Sequence, residues 1–331
     1  MLDRKLKIVA DENIAYAVHF FAALGELVLL PGRSICRADV QDADILLVRS
    51  VTAVNGALLE GTAVRFVGSC TIGTDHIDLQ WLQEKNVYFA YAPGCNAQAV
   101  VEYVLSALRA LEVDFSESRI GIVGCGNVGS RLLRNLHERG ADVVGYDPFL
   151  EGSNLPLVDF EAILACDVIC LHTPLTKTGA YPTFHLFDQA VINRLKSNTV
   201  LLNAGRGAVI DNIALLTRIE NHNDLSVVLD VWENEPAING DLLVHVAIGT
   251  PHIAGYSAEG KLRGTEMVYE ALCDVLGFNH TVAPVVLGGD VVPYRIFVDD
   301  AALREQYPID GPLAFDRLRK HYKPRRECVV P

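Results

Sequence analysis

Long apolar runs are the first feature that this sequence lacks. The chain of 331 residues has no uninterrupted apolar run of about 18 residues, the length that a transmembrane helix requires. Its N-terminal stretch, MLDRKLKIVADEN, enters a short apolar segment directly and contains no signal-peptide core. We therefore expect a cytoplasmic protein with no membrane partner.

Close cysteine pairs are also missing, although the chain has eight cysteines. They are scattered and form no CxxC pair, whereas a zinc site needs closely spaced ligands with a histidine partner. Buried free thiols in a reducing compartment are the favoured interpretation. We expect no metal site.

A surplus of basic residues is the third absence, because the formal net charge is −13. This balance argues against a nucleic-acid-binding protein, which needs a basic face. It leaves room for a small anionic ligand, since such sites are local. With half of its residues hydrophobic and no internal repeat, the chain has the composition of a globular protein of about two domains.

Short apolar runs alternate with amphipathic helical stretches along most of the chain, a pattern typical of parallel α/β sheets. Five such runs precede a long predicted helix, Asn96–Val113, for which Asn96 is the predicted N-cap. Six more runs follow, spaced like the strands of a doubly wound sheet with crossover helices. We expect two α/β lobes, the central one a dinucleotide-binding fold inserted into the other.

The stretch RIGIVGCGNVGSRLLRNLHERGADVVGYDP contains every element of the dinucleotide-binding fingerprint. A strand ends in Gly124, Gly126 and Gly129, a helix follows, and a second strand ends at Asp147. The glycines permit a tight turn and let a pyrophosphate approach the backbone at a helix N-terminus. Asp147 would accept hydrogen bonds from the ribose hydroxyls and repel a 2′-phosphate, which favours NAD over NADP. The alternative is a structural glycine turn, with Asp147 capping a loop.

Three further polar groups follow predicted strands, in LLNAGRGAVID, LDVWENEP and GTPHIAGYS. Arg206 is suited to hold a carboxylate with its forked guanidinium. His252 could act as an acid–base, with a nearby carboxylate, Asp230 or Glu235, as a candidate partner. Alone, Arg206 could be a surface arginine, His252 a structural residue, and Asp230, Glu233 and Glu235 solvated loop charges. Together they supply what the oxidation of a 2-hydroxy acid requires.

Around GCGNVG, the stretches NAGRG, DVWENEP and TPHIAG resemble the D-isomer-specific 2-hydroxyacid dehydrogenases. The resemblance covers residues from about 6 to 280 and implies Rossmann-like doubly wound parallel sheets in both lobes, NAD as cofactor and a homodimer. It places catalysis on Arg206, Glu235 and His252, and substrate binding on Ser50, Thr71 and Tyr256. Arg49 is a further candidate phosphate partner. The residues expected at the cofactor are Gly124, Gly126, Asn127, Val128, Gly129, Asp147, Thr173, Ala204, Gly205, Arg206, Asp230 and Gly255.

The stretches PGCNAQAVVEYV, VGSCTIGTDHID and PHIAGYSAEGKLRGT are similar to the branch of this family that oxidises 4-phospho-D-erythronate in pyridoxal phosphate synthesis. A phosphorylated 2-hydroxy acid is therefore the expected substrate. The alternatives are a dehydrogenase for another acid, such as 3-phosphoglycerate, and a non-catalytic NAD(H)-sensing regulator. The expected divisions are a substrate lobe (1–95), an NAD domain (96–255), a return helix (256–284) and a shortened dimerisation segment (285–331).

Overall fold

The computed structural model describes residues 5–150, 152–279, 282–288 and 300–328. Within these ranges the chain forms two compact units, one from the described residues up to 96 and between 257 and 288, the other from those between 97 and 256 and between 300 and 328. Among the described helices, none is long and apolar enough to cross a membrane. All eight cysteines are free, and six of them are buried, with Cys36 exposed and Cys70 partly buried.

The first unit is built on a five-stranded parallel sheet with the order β2-β1-β3-β4-β5. Its strands are β1 (Leu6–Asp11), β2 (Gly25–Leu30), β3 (Ile45–Val48), β4 (Phe66–Ser69) and β5 (Tyr88–Tyr91). Its helices, numbered along the whole chain, are α1 (Ala17–Phe21), α2 (Arg37–Val40), α3 (Gly56–Leu59), α4 (Leu79–Glu84) and α11 (Ala258–Leu276), with a 3₁₀ turn at Gly32–Ser34.

The burial of the apolar runs in this unit agrees with their being strands of a parallel sheet. All four residues of β3 are buried, as expected for a central parallel strand covered on both faces. Helix α11 is capped at its start by Ser257, whose side chain accepts the amide N–H of Gly260, and at its end by Gly277 with φ +68°. Its residues Val268 and Leu272 pack into the same core as β1.

The second unit contains a six-stranded parallel sheet with the order β11-β10-β9-β8-β6-β7. Its strands are β6 (Arg119–Val123), β7 (Asp142–Tyr146), β8 (Val168–Leu171), β9 (Val200–Asn203), β10 (Ser226–Leu229) and β11 (Ile248–Gly249). Its helices are α5 (Ala97–Ala110), α6 (Gly129–Glu138), α7 (Phe160–Leu164), α8 (Gln189–Ile192), α9 (Asn212–His222), α10 (Gly240–His245), α12 (Ala301–Asp310) and α13 (Pro312–His321), with a 3₁₀ turn at Gly207–Val209.

One local prediction was wrong. Asn96 was expected to cap α5, but its Oδ1 is buried and has no hydrogen-bond partner among the described residues. Asn96 lies instead against the start of α11, where a Cβ placed on Gly260 would be 3.0 Å from the Asn96 Cβ.

The strand order creates a topological switch point beside β6. The chain runs from β6 to β7 on one side and returns to β8 on the other. In open parallel sheets, the crevice at the carboxyl ends of the two strands at such a point is where ligands bind. The glycine loop after β6 and the His172–Thr173 segment after β8 both lie at this edge.

The C-terminal helices α12 and α13 pack onto the second unit. The Tyr307 hydroxyl donates to the Ile238 carbonyl at 2.7 Å, and Arg304 donates to the Val246 carbonyl at 2.8 Å, just beyond α10. Phe315 of α13 is fully buried in the main core of this unit. The predicted dimerisation segment, 285–331, lies outside the described residues at 289–299 and 329–331.

Candidate active site

Contacts within the protein explain two glycines of the loop, Gly124 and Gly129, but not Gly126. Gly124 has φ +86°, and a Cβ on Gly129 would lie 1.9 Å from the Gly124 carbonyl oxygen, so the fold requires both glycines. A Cβ on Gly126, by contrast, would meet nothing within 4 Å. The open space at Gly126 lies before the N-terminus of α6, where backbone N–H groups favour an anion such as a pyrophosphate.

Asp147 connects the end of β7 to this loop. Its Oδ2 accepts the Cys125 amide at 2.9 Å, and its Oδ1 accepts the Phe149 amide at 3.1 Å. The carboxylate therefore caps the local turn and also lies against the glycine loop, so the turn and ribose interpretations of this residue are compatible. Burial, followed by the charge of Asp147, raises the pKa of Cys125 to about 12, which keeps this thiol protonated.

Buried polar atoms without partners lie on the other side of the switch point. Both ring nitrogens of His172 and the Oγ1 of Thr173 are buried, and they have no hydrogen-bond partner among the described residues. Burial lowers the pKa of His172 to about 4, so its ring is neutral at physiological pH. Unsatisfied polar atoms at this edge fit a ligand with hydroxyl and amide groups, as NAD has. Sequence reasoning found Thr173 but missed His172, because a single histidine in LHTP carries no signal of its own.

Arg206 follows β9 in a turn that Asn203 shapes. The buried Asn203 accepts the Gly205 amide at 3.0 Å and donates to the Arg206 carbonyl at 2.9 Å. The Arg206 guanidinium donates to the Gly205 carbonyl at 2.9 Å and is only half-buried. The sequence analysis did not identify Asn203.

The packing of Gly207 requires a residue without a side chain. A Cβ at this position would lie 2.0 Å from the carbonyl carbon of Trp232, so the turn packs directly against the backbone that follows β10. Close packing within the protein thus accounts for Gly207 without any ligand. A Cβ on Gly205 would lie 3.2 Å from the Cα of His172, which is a less severe contact.

Glu235 and His252 form a hydrogen-bonded pair. His252 Nδ1 lies 2.7 Å from Glu235 Oε2, and Glu235 Oε1 accepts the Trp232 amide at 2.9 Å. Burial alone would raise the pKa of Glu235. The charge of His252 and its hydrogen bond lower this pKa by more, so the net shift is downward. The His252 side chain is 30% exposed, and its Nε2 has no hydrogen bond within the described ranges. This arrangement orients an imidazole toward an external proton donor.

Asp230 holds the loop that carries His252. Its Oδ1 accepts the Thr250 hydroxyl and the Ile253 amide, both at 2.7 Å, and its Oδ2 accepts the Ala254 amide at 2.9 Å. The His252 amide also donates to the Asp230 carbonyl at 2.8 Å. Burial raises the pKa of Asp230 despite these hydrogen bonds. The backbone of His252 has φ +56°, an uncommon conformation that these contacts hold in place.

Glu233, which the sequence left as a possible solvated charge, is engaged within the unit. Its Oε1 lies 2.7 Å from His185 Nε2, and its Oε2 accepts the Asn212 amide at 2.9 Å. The side-chain atoms of His185, Asp211 and Glu233 that could bind a metal ion lie within 4.8 Å of one another. Asp211 caps α9, and Glu233 accepts the amide of Asn212, the first residue of that helix. Anchoring of α9 therefore accounts for these two carboxylates.

The candidate substrate residues Ser50 and Thr71 belong to the first unit, whereas Tyr256 belongs to the second. Ser50 is exposed just beyond β3, and the Thr71 hydroxyl lies 2.9 Å from the Ser69 hydroxyl. Sequence reasoning missed Lys261, on the first turn of α11. Burial, followed by the charge of Arg49, lowers the pKa of Lys261 to about 8. Two cations close enough to repel each other are suited to an anionic ligand with more than one charge.

Comparison with known proteins agrees with this geometry. The family described as D-isomer specific 2-hydroxyacid dehydrogenase, NAD binding domain, matches residues 97–254. An erythronate-4-phosphate dehydrogenase from Saccharophagus degradans is 50% identical, with 97% of this chain and 93% of that protein covered. One from Acinetobacter baumannii is 43% identical, with 98% of each chain covered.

Solved structures show the same fold. The NAD-bound 3-phosphoglycerate dehydrogenase of Entamoeba histolytica is 24% identical with a TM-score of 0.72, covering 84% of this chain and 97% of that one. The D-lactate dehydrogenase of Aquifex aeolicus is 21% identical with a TM-score of 0.70, covering 84% of this chain and all of that one.

The fold, the dinucleotide loop and the carboxylate–histidine pair define an NAD-dependent oxidoreductase of the 2-hydroxyacid dehydrogenase class. Within that class, the chain belongs to the erythronate-4-phosphate dehydrogenase family. Its cofactor is NAD, and the open space at Gly126 and the unpartnered atoms of His172 and Thr173 fit that molecule.

Proposed function

We propose that this enzyme oxidises 4-phospho-D-erythronate to 3-hydroxy-2-oxo-4-phosphooxybutanoate with NAD, as a step of pyridoxal 5′-phosphate synthesis. The observation that carries the proposal is the Glu235–His252 pair, with 2.7 Å between Oε2 and Nδ1, in the same unit as the dinucleotide loop. The names of the relatives, which are 43–50% identical, support the substrate.

His252 is the proposed general base. With Nδ1 held by Glu235, Nε2 accepts the proton of the substrate 2-hydroxyl as the carbon is oxidised. NAD, when bound, supplies the hydride acceptor. Glu235 favours the imidazolium that forms, because a carboxylate beside the ring stabilises its positive charge. In the reverse reaction His252 returns the proton.

Arg206 is the proposed carboxylate clamp. It follows β9. The neighbouring strand is β10, and Asp230 and Glu235 follow β10 in the sequence. Its guanidinium fork matches the two oxygens of a substrate carboxylate and polarises the developing carbonyl. The contribution is positioning together with electrostatic stabilisation.

The proposed cofactor residues are grouped around the switch point. The backbone of the loop at Gly124, Gly126, Asn127, Val128 and Gly129 holds the pyrophosphate, and Asp147 holds the adenosine ribose. Thr173, the Ala204–Arg206 backbone, Asp230 and Gly255 complete the set. For Asp230 the proposed contribution is indirect, because three donors from the Thr250–Ala254 loop occupy its carboxylate.

Recognition of the substrate is assigned to hydroxyl and cationic side chains. Ser50, Thr71 and Tyr256 are proposed to contact the substrate. In the first unit, Arg49 and Lys261 supply positive charge suited to the phosphate group, which carries nearly two negative charges at neutral pH.

A turnover assay tests this function. We expect purified protein to reduce NAD when 4-phospho-D-erythronate is added, and the His252→Ala variant to bind NADH but lose turnover. A wild-type protein that binds NADH and oxidises no 2-hydroxy acid would instead be an NAD(H)-sensing regulator.

We further propose a homodimer in the cytoplasm. The free cysteines suit a reducing compartment, and α12 and α13 expose apolar side chains at Ile309 (81%) and Leu313 (74%). Light scattering after size exclusion measures the oligomeric state, and a monomer at micromolar concentration would contradict the dimer.

A further inference from the structure

The C-terminal segment is anchored close to the catalytic loop. Ala314 and Phe315 of α13 are fully buried, which fixes the orientation of this helix on the second unit. The next turn carries Arg319, and Tyr322 follows the helix end. The rings of Tyr322 and Tyr256 meet edge to face, with their centroids 6.0 Å apart.

Arg319 lies among the groups of the proposed catalytic centre. It shares a side-chain hydrogen bond with Tyr256, and the charges of Glu235 and Asp230 act on it. Burial lowers the pKa of Arg319, but these anionic and phenolic neighbours raise it by more, so the guanidinium stays charged. Its Nε is buried and has no hydrogen-bond partner among the described residues. A half-buried cation with a buried, unpartnered donor at this position needs an explanation.

We propose that Arg319 is a positioning residue of the proposed catalytic centre, which places a half-buried positive charge near Glu235 and a hydrogen-bond donor against Tyr256. This inference rests on the proposed roles of Glu235 and His252. It extends the catalytic centre to a helix outside residues 97–254, the range that the family description matches.

The physical effect follows from Coulomb's law. Arg319 helps to keep the partly buried Glu235 ionised, since its charge, after that of His252, lowers the pKa of that carboxyl. The same cation opposes uptake of a proton by the Glu235–His252 pair as a whole. Asp230 interacts with His252 of the pair, and Tyr256 interacts with Arg319. The charge of Arg319 is also opposite to that of Asp230, which acts on it.

The test compares Arg319→Gln with Arg319→Lys and uses Arg317→Gln as the matched control. Arg317 lies on the same helix but is 47% exposed and pairs with Asp310. For Arg319→Gln we expect kcat to fall about tenfold and the acid limb of kcat/KM to move to higher pH by about one unit. Arg319→Lys keeps the charge, so the acid limb should stay near that of the wild type. Arg317→Gln should change neither quantity.

A second readout needs no turnover. Nuclear magnetic resonance of the cofactor-free protein follows protonation of the His252 ring, and its midpoint should move to higher pH in Arg319→Gln only. The inference is overturned if Arg319→Gln titrates like Arg317→Gln, whether or not its melting temperature falls. If Arg319→Gln does not fold, Arg319→Lys gives the test. An acid limb of its kcat/KM profile that moves to higher pH, although the charge is kept, would also overturn the inference. The proposed function fails separately, if the wild-type protein binds NADH and oxidises no 2-hydroxy acid.

Discussion

At the residue scale, the chemistry depends on a few side chains whose neighbours set their properties. His252 has an oriented ring because Glu235 lies at its Nδ1 and because Asp230 holds the surrounding loop. Removing the base should therefore remove the reaction while leaving the loop contacts of Asp230 in place.

For His252→Ala we predict a fall in kcat of roughly a hundredfold or more, the usual contribution of a positioned acid–base group. Steady-state kinetics with 4-phospho-D-erythronate measures this, and NADH binding by fluorescence is the control for folding. In Arg206→Lys the charge remains but the fork is lost, so KM should rise and kcat should fall together. Near-normal kinetics in both variants would refute the assignment.

Asp147 tests the cofactor assignment. We predict that Asp147→Asn weakens NAD binding and reduces the preference for NAD over NADP, because the carboxylate no longer repels a 2′-phosphate. The amide can still accept from Cys125 N–H, so the loop contact is retained. The ratio of kcat/KM for the two cofactors is the measurement, and an unchanged ratio would contradict the role.

Lys261 gives a prediction about pH. Its pKa, lowered to about 8, means that the positive charge is present below that pH and is lost as the pH rises through it. The value of kcat/KM for the phosphorylated substrate should therefore decrease above about pH 8. Lys261→Arg should move this alkaline limb upward, since arginine stays charged. An unmoved limb would show that another group causes it.

At the element scale, the C-terminal residues hold the loop that follows His252. Arg325 is 9% exposed, and its guanidinium donates to the carbonyls of Ile253, Ala254 and Tyr256 and to that of Ala99 on α5. Replacing it by methionine leaves several buried carbonyls unpaired. We predict a loss of unfolding free energy of roughly 3 kcal/mol or more, measured by denaturant titration. Arg317→Met, on the exposed side of α13, should lose less than about 1 kcal/mol.

Helix α5 contributes a pH-dependent element. Burial raises the pKa of Glu102 to about 7, although the side chain accepts from Gln98 and from the Cys328 amide. A raised pKa means that the folded state binds the proton more tightly than the unfolded chain does. Stability from this group is therefore complete below about pH 4.5 and is lost as the pH rises to about 7.

We predict that Glu102→Gln removes this part of the pH dependence, with a gain on the order of 3 kcal/mol above pH 7 relative to wild type. Thermal unfolding across pH 5–8 measures it. Equal slopes in wild type and variant would contradict the origin in Glu102.

The elements also show what the sequence could predict. Local patterns sufficed for the glycine loop, where spacing alone indicated Gly124 and Asp147, and for strands such as β3, whose side chains are all apolar. The last strand is harder to delimit from sequence. It has only two residues, Ile248–Gly249, and the chain after it is held by Asp230, which accepts the Thr250 hydroxyl. Asn96, predicted as a cap, lies instead against the start of α11, a helix distant in the sequence.

At the scale of the whole molecule, two of the missed residues share one property. Burial, followed by the charge of Arg49, lowers the pKa of Lys261, and Tyr256 and Glu235 act on Arg319, each charged neighbour being distant in the sequence. No spacing rule connects such pairs, so only the folded chain reveals them. The proposed catalytic residues Arg206, Glu235 and His252 could be predicted from sequence because each follows a strand, and parallel strands bring their carboxyl ends to one edge.

Substrate choice is the central claim at this scale. The decisive measurement is the ratio of kcat/KM for 4-phospho-D-erythronate to that for 3-phospho-D-glycerate, with NAD and the wild-type protein at one pH. Both acids carry a 2-hydroxyl, a carboxylate and a phosphate, and they differ by one carbon unit bearing a hydroxyl. The account predicts a ratio of at least about tenfold in favour of the erythronate, which is what a difference of this size is worth in a fitted site. A ratio below one would contradict it.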